Sequence, residues 1–305
     1  MRHFLRVWDV NAEELAAILA AAQELKKKRA EMRAQGPFPL AGRQLALVFD
    51  KASTRTRVSF EVAMHELGGH ALYLHSSTTQ LGRGEPVEDT ARVLSRMVDV
   101  IAVRTHAHAT VERFAAFASV PVINALTDWQ HPCQILADLL TVQEALGELA
   151  GLKVAWVGDG NNMAHAWIEA AALARFSLVL ACPEGFDPDA ALVEEARARG
   201  AEIALVRSPE DAVRGADVVT TDVWASMGQE SEAEARQKAF SGYTVDQALM
   251  SQAAPHAIFL HCLPAHRGEE VSAEVLEGEQ SRVWDEAENR LHTQKALLLF
   301  LFGRL

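Results

Sequence analysis

The segment Asp50-Lys51-Ala52-Ser53-Thr54-Arg55-Thr56-Arg57 packs three hydroxyls and two arginines into its last five residues. It follows an apolar run at 45–49 and precedes Val58, Glu61, Val62 and His65 at helical spacing, so it falls on a strand-to-helix turn. The first N–H groups of a helix lack intrahelical partners and sit at its positive end, which attracts an anion. Hydroxyls add neutral donors, and Arg55 adds a planar fork able to grip two phosphate oxygens. An N-cap with solvated arginines would use the same residues, but their density favours a phosphate site.

A second group, His131-Pro132-Cys133-Gln134, follows Asp128-Trp129 and opens another helix, with Pro132 at a tolerated first position. His131 there could donate to a carbonyl oxygen while the helix end favours developing negative charge. A capped helix with a satisfied histidine is an equal alternative. Arg104 closes a strand, on the edge where open α/β sheets bind ligands. With Arg55 and His131 it would form a cationic cup.

In the second half, Val157-Gly158-Asp159-Gly160-Asn161-Asn162-Met163 follows a strand and opens a helix. Met163 replaces the third glycine of a dinucleotide turn, and the next strand ends in Cys182 and Pro183 with no acidic residue, which argues against a nicotinamide site. Asn162 is instead a neutral amide for a polar small molecule. Asp222, at the end of a strand before Ser226-Met227-Gly228 and a Glu-rich stretch, reads by itself first as an N-cap with a solvated loop; recognition of an ammonium group is the other reading. His261-Cys262-Leu263-Pro264 ends the last strand. Neighbours on a strand point to opposite faces, so a thiolate–imidazole dyad is not expected from His261 and Cys262. The spacing of His106, His108, His261 and His266 matches no metal signature, and no metal is expected.

The elements that must position these groups alternate regularly. A first amphipathic helix covers 11–34, opened by a capping box of Asn11 and Glu14. Strands are expected at 45–49, 71–74, 98–104 and 120–125, then at 154–158, 178–181, 203–206, 218–221 and 258–260. Helices near 56–67, 87–97, 110–118, 133–146, 162–175, 188–199 and 244–253 separate them. Such alternation implies parallel sheets with helices on both faces. The expected fold is α/β: two doubly wound parallel-sheet domains of similar size, residues 1–147 and 148–284, with the active site in the cleft between them. A last helix, about 285–305, is too apolar on one side to stand alone and should pack back on the first domain.

Taken together, Ser53-Thr54-Arg55-Thr56-Arg57 and His131-Pro132-Cys133-Gln134 resemble the carbamoyl-phosphate site of the aspartate and ornithine carbamoyltransferases. Asp222 with Ser226-Met227-Gly228, and His261-Cys262-Leu263-Pro264, look like the ornithine branch of that family. Gln80-Leu81-Gly82-Arg83-Gly84-Glu85 and Glu286-Ala287-Glu288-Asn289-Arg290 match the same pattern. The resemblance covers almost the whole chain and implies carbamoyl transfer from carbamoyl phosphate to the δ-amine of L-ornithine, giving L-citrulline and phosphate, as in arginine biosynthesis. A sister enzyme acting on N-acetylornithine or putrescine, or a non-catalytic phosphate- or dinucleotide-binding module, is the alternative.

By the same resemblance Ser53, Thr54, Arg55 and Thr56 would hold the phosphate, with Arg104 bridging phosphate and carbonyl. His131 and Gln134 would bind the carbamoyl group, and Arg290 would assist. Asn162, Asp222, Ser226 and Met227 would hold ornithine, while Cys262 and Leu263 would flank the reacting amine. Gln80 would reach the site of a neighbouring subunit, implying a homotrimer or a multiple of trimers. No cofactor is implied. Arg57 matches the motif but is read as structural, and Thr105-His106-Ala107-His108 departs from the pattern.

Composition bounds these expectations. Of 305 residues, 29 are Lys or Arg and 41 Asp or Glu, a net charge of −12. That balance disfavours nucleic acid or an anionic membrane as partner. No apolar run approaches the roughly 20 residues of a membrane-spanning helix. The charged start MRHFLRVWDV and three scattered cysteines read as a cytoplasmic protein with free thiols.

Overall fold

The computed structural model describes residues 2–225 and 233–305. Ser226, Met227 and Gly228 of the second-half motif lie outside the described residues. The chain divides into two compact units: Met1–Leu140 with Glu288–Leu305, and Thr141–Ala287. The first division falls within a continuous helix, earlier than the glycine at 147 where the sequence signals a stop. The second falls at 287/288, within the last helix.

The first unit is built on β1 (Gln44–Phe49), β2 (His70–His75), β3 (Val100–Arg104) and β4 (Val122–Leu126), all parallel in the order β2-β1-β3-β4. Its helices are α1 (Ala12–Lys27), α2 (Arg29–Gln35), α3 (Thr54–Glu66), α4 (Val87–Leu94), α5 (His108–Phe117) and the start of α6 (Pro132–Leu146). β1 and β3 read as apolar runs because both faces are covered and they are buried almost throughout, whereas the edge strand β2 has no buried residue. The single helix expected over 11–34 is two helices. Lys28 leaves helical geometry at φ −91°, ψ 7°, with no glycine or proline to announce the break.

The second unit holds β5 (Lys153–Val157), β6 (Ser177–Ala181), β7 (Glu202–Val206), β8 (Val218–Thr221) and β9 (Ile258–His261), parallel in the order β7-β6-β5-β8-β9. Its helices are α7 (Asn162–Ala174), α8 (Ala190–Ala198), α9 (Pro209–Val213), α10 (Ala233–Ala239), α11 (Gln247–Met250) and α12 (Ala273–Leu276). Helices α9, α10 and α12 are absent from the sequence reading, being too short to show a helical period. The last helix, α13 (Val283–Leu301), begins in the second unit and ends in the first. There its buried Lys295 pairs with Glu66 at the end of α3, where Arg29 also donates to Glu66 at 3.0 Å. Burial alone would raise the Glu66 pKa, but hydrogen bonds from Arg29 and Lys295 outweigh it and hold the carboxyl below its ordinary value.

Both sheets reverse their winding once. In the first the reversal lies between β1 and β3, and in the second between β5 and β8. The carboxyl ends of strands at such switch points are where open α/β sheets bind ligands.

Candidate active site

In the first unit the β1/β3 switch point brings together three segments that are distant in sequence. Strand β1 leads to Ser53, which caps α3 by accepting from the Thr56 N–H at 3.3 Å. Strand β3 ends in Arg104, 6% exposed, whose Nη1 donates to Thr56 Oγ1 at 3.4 Å. From α13, Arg290, 2% exposed, donates through Nη2 to the same Thr56 oxygen at 3.3 Å. Its Nη1 donates to Gln134 Oε1 at 2.6 Å, and Gln134 in turn donates to Asp138 at 2.8 Å.

Thr56 Oγ1 therefore accepts from two guanidinium groups, which leaves its own proton as a donor to an oxygen ligand. His131 is 5% exposed, and its Nδ1 has no hydrogen-bond partner among the described residues. Burial first, then the charges of Arg290, Arg104 and Arg55, push its pKa well below the ordinary 6.5. At neutral pH the imidazole is thus uncharged, one N–H donor beside three cations. The net charge of −12 says nothing against this pocket, because its local field is positive.

The neighbouring motif residues separate by role. Arg55 and Ser53 are partly exposed, and Thr54 is exposed at the first turn of α3. Arg57 turns away, donating to Glu61 at 2.9 Å and lying 3.9 Å over the Tyr73 ring. Gln80 is exposed at the start of a short 3-10 turn covering Leu81–Arg83. The unfamiliar segment after Arg104 is stitched to the turn after β1 and to the loop before His131. Thr105 donates to Asp50 at 2.5 Å, His108 N–H donates to Asp128 at 3.0 Å, and Asp128 N–H donates to the His106 carbonyl at 2.7 Å.

In the second unit the β5/β8 switch point holds Asp222, 8% exposed. Its Oδ2 accepts from Asn161 Nδ2 at 2.9 Å; its Oδ1 accepts from Val223 N–H at 2.8 Å and from Cys262 Sγ at 3.2 Å. Asn161, not singled out in the sequence, also caps α7 by accepting from the Met163 and Ala164 N–H groups. Asn162 stands one position inside the helix. Gly160 lets this turn press against the backbone of Pro188, with its N–H donating to the Phe186 carbonyl at 2.8 Å. The glycine spacing serves loop packing. Beneath the turn, Asp159 and Arg236 form a buried ion pair at 2.7 Å.

Cys262 and Leu263 sit on a turn set by His261. The Leu263 N–H donates to His261 Nδ1 at 2.9 Å, which holds Leu263 at φ +58°. Nδ1 is therefore the unprotonated nitrogen, so Nε2–H donates to the fully buried Glu270 at 3.1 Å. Both nitrogens are committed: His261 neither activates Cys262 nor offers a lone pair to a metal. Glu286 completes the support by accepting from the His261 N–H at 2.8 Å. Glu270 and Glu286 lie in acidic stretches, and nothing in their spacing marks them as buried.

An α/β protein with an anion cup at one switch point and a carboxylate at the other has the outline of a transferase that handles a phosphorylated donor. A family profile described as the aspartate/ornithine carbamoyltransferase carbamoyl-P binding domain matches residues 2–144, and its companion, the Asp/Orn binding domain, matches 150–301. The ornithine carbamoyltransferase of Pelobacter propionicus is 56% identical over 304 residues, 99% of this chain and 99% of its own length. The solved ornithine carbamoyltransferase of Pyrococcus furiosus aligns with a TM-score of 0.94 at 49% identity, covering 100% of this chain and 98% of that one. The anabolic ornithine carbamoyltransferase of Campylobacter jejuni aligns at 0.93 and 43%, covering 100% of each chain. The chain belongs to the aspartate/ornithine carbamoyltransferase family.

Proposed function

We propose that this protein transfers the carbamoyl group of carbamoyl phosphate to the δ-amine of L-ornithine, releasing L-citrulline and phosphate in arginine biosynthesis. The observation that carries the reading is the Thr56 hydroxyl under two guanidinium groups beside a neutral His131. A doubly charged phosphate and an uncharged carbonyl need that combination of fixed cations and a neutral donor.

In this reading Ser53, Thr54, Arg55 and Thr56 hold the phosphate, and Arg104 spans phosphate and carbonyl. His131 donates to the carbonyl oxygen. Gln134 fixes Arg290 through its amide oxygen and faces the carbamoyl group, while Gln80 of a neighbouring subunit completes the phosphate shell. In the second unit Asp222 takes ornithine's α-ammonium with Asn162, and Ser226 and Met227 contribute from the segment beyond it. The turn at Cys262 and Leu263 flanks the δ-amine.

The nucleophile must be neutral. A free amine of this kind has a pKa near the lysine value of about 10.4, so the site must lower it or select the minor form. Its lone pair attacks the carbonyl carbon, and the oxyanion that forms is stabilised by Arg104, His131 and Thr56. The bond from carbon to the phosphate oxygen then breaks, phosphate departs with the electron pair, and one amine proton ends on it. Orientation and fixed charge suffice, with no covalent enzyme intermediate or cofactor.

We assign the protein to the cytoplasm, as a homotrimer or a multiple of trimers. No helix among the described residues is long and apolar enough to cross a membrane. A steady-state assay with ornithine, N-acetylornithine, putrescine and aspartate as acceptors tests the reading. Turnover with ornithine is expected; preference for N-acetylornithine or putrescine would overturn it.

A further inference from the structure

The turn after β9 assembles a second constellation, apart from the residues assigned to substrate. His266, Glu269 and Glu270 place one ligand atom each within 4.8 Å of one another. Gly268, at φ +90°, reverses the chain, so Gly268 N–H donates to the Val271 carbonyl at 2.9 Å and both carboxylates fold back toward the histidine. His266 Nδ1 lies 3.6 Å from a Glu269 oxygen and 3.9 Å from Glu270 Oε2. Ligand atoms around a tetrahedral zinc ion, with bonds of about 2.0–2.2 Å, stand about 3.4 Å apart. The two separations from the histidine exceed that by about 0.2 and about 0.5 Å.

Glu270 makes this more than an acidic cluster. Its side chain is fully buried, and its Oε1 accepts from His261 Nε2 at 3.1 Å and from the His266 N–H at 2.6 Å. Its Oε2, equally buried, has no hydrogen-bond partner among the described residues and faces His266. An unpaired carboxylate oxygen at that depth is costly unless a cation meets it. Arg267, in the same turn, donates instead to Glu277 at 2.5 Å. His266 and Glu269 are half-exposed, so an ion can reach the oxygen between them.

We propose that His266, Glu269 and Glu270 form a binding site for a divalent transition-metal ion of the zinc type, with water completing the shell. Regular histidine spacing does not reveal it, because two of its ligands are adjacent glutamates and only burial singles out Glu270. The ion would share Glu270 with His261, whose imidazole holds the turn at Cys262 and Leu263, so occupancy bears on that turn.

Titration of the chelator-treated full chain with Co²⁺, followed by electronic absorption, tests the site. Wild type and Cys262→Ala are expected to develop the same intense visible bands of low-coordinate Co²⁺, without a thiolate charge-transfer band. In His266→Ala and Glu269→Gln the half-saturating Co²⁺ concentration should rise at least about ten-fold, as when a coordination shell is weakened. Both substitutions are at half-exposed positions and leave the buried Glu270 in place. Bands that survive both substitutions, bands that vanish with Cys262→Ala, or no bands in wild type would each overturn the proposal.

Discussion

Arg290 donates to Gln134 at 2.6 Å across 156 positions of sequence, and the same guanidinium reaches Thr56 at 3.3 Å. One side chain from the final helix thus ties the N-terminal turns of α3 and α6 into a single anion cup. A lysine could supply the charge but not the two-pronged geometry. Arg290→Lys is therefore expected to lower kcat/KM for carbamoyl phosphate by about 10²-fold, in the range seen for losing one transition-state donor. The KM for ornithine should change little. Gln134→Leu should fall in the same direction, and the double variant should lose less than the product of the two, because both act through one contact. Initial-rate kinetics on the three variants checks this.

His131 carries a pH signature. Its folded pKa lies well below 6.5, so between those values the unfolded chain binds a proton that the folded chain does not. Stability should fall as pH drops from 6.5 toward the folded pKa, and the histidine should have no effect above 6.5. His131→Asn keeps a neutral donor and removes the titration. Urea unfolding across pH 4.5 to 7.5 should show a smaller acid loss of stability for the variant than for the wild type.

The buried pair of Lys295 and Glu66 joins α13 to α3, the two helices that bring Arg290 and Thr56 together. Lys295→Met leaves Glu66 with Arg29 at 3.0 Å and Arg33 at 3.7 Å. Breaking a buried pair costs about 3–5 kcal/mol, and Arg29 with Arg33 keeps the loss near the lower end, about 3 kcal/mol. Chemical denaturation measures it. The KM for carbamoyl phosphate should rise as Arg290 loses its register, whereas that for ornithine should hold.

Asp222 accepts from Asn161, Val223 and Cys262, a geometry that leaves the carboxylate fixed for a cationic ligand. Asp222→Asn should weaken ornithine by about 2 kcal/mol, close to thirty-fold, the worth of a charged hydrogen bond. Carbamoyl-phosphate binding should be unaffected. Calorimetric titration with each substrate or an unreactive analogue separates the two.

Much of this was legible in the sequence because of how parallel sheets are built. Strands covered on both faces must be short apolar runs, and the central strands such as β1, β3, β5 and β8 stand out between helical periods. The segment proposed to hold phosphate stands out because its hydroxyls and arginines are contiguous. Contacts made at a distance do not stand out. Nothing near Asn161 distinguishes it from Asn162, yet only Asn161 both caps α7 and holds Asp222. Glu270 reads as one more surface acid until the fold buries it under His261. The break at Lys28 has no local cause in composition, and α9, α10 and α12 span too few turns to display a repeating apolar face.

The most direct test of the account is the stoichiometry of products from carbamoyl phosphate and L-ornithine, with citrulline and inorganic phosphate measured in the same reaction. Equal amounts of the two, both dependent on ornithine and both suppressed in Arg290→Lys, are predicted. Phosphate released without citrulline, or substrate bound with no turnover, would contradict carbamoyl transfer to ornithine.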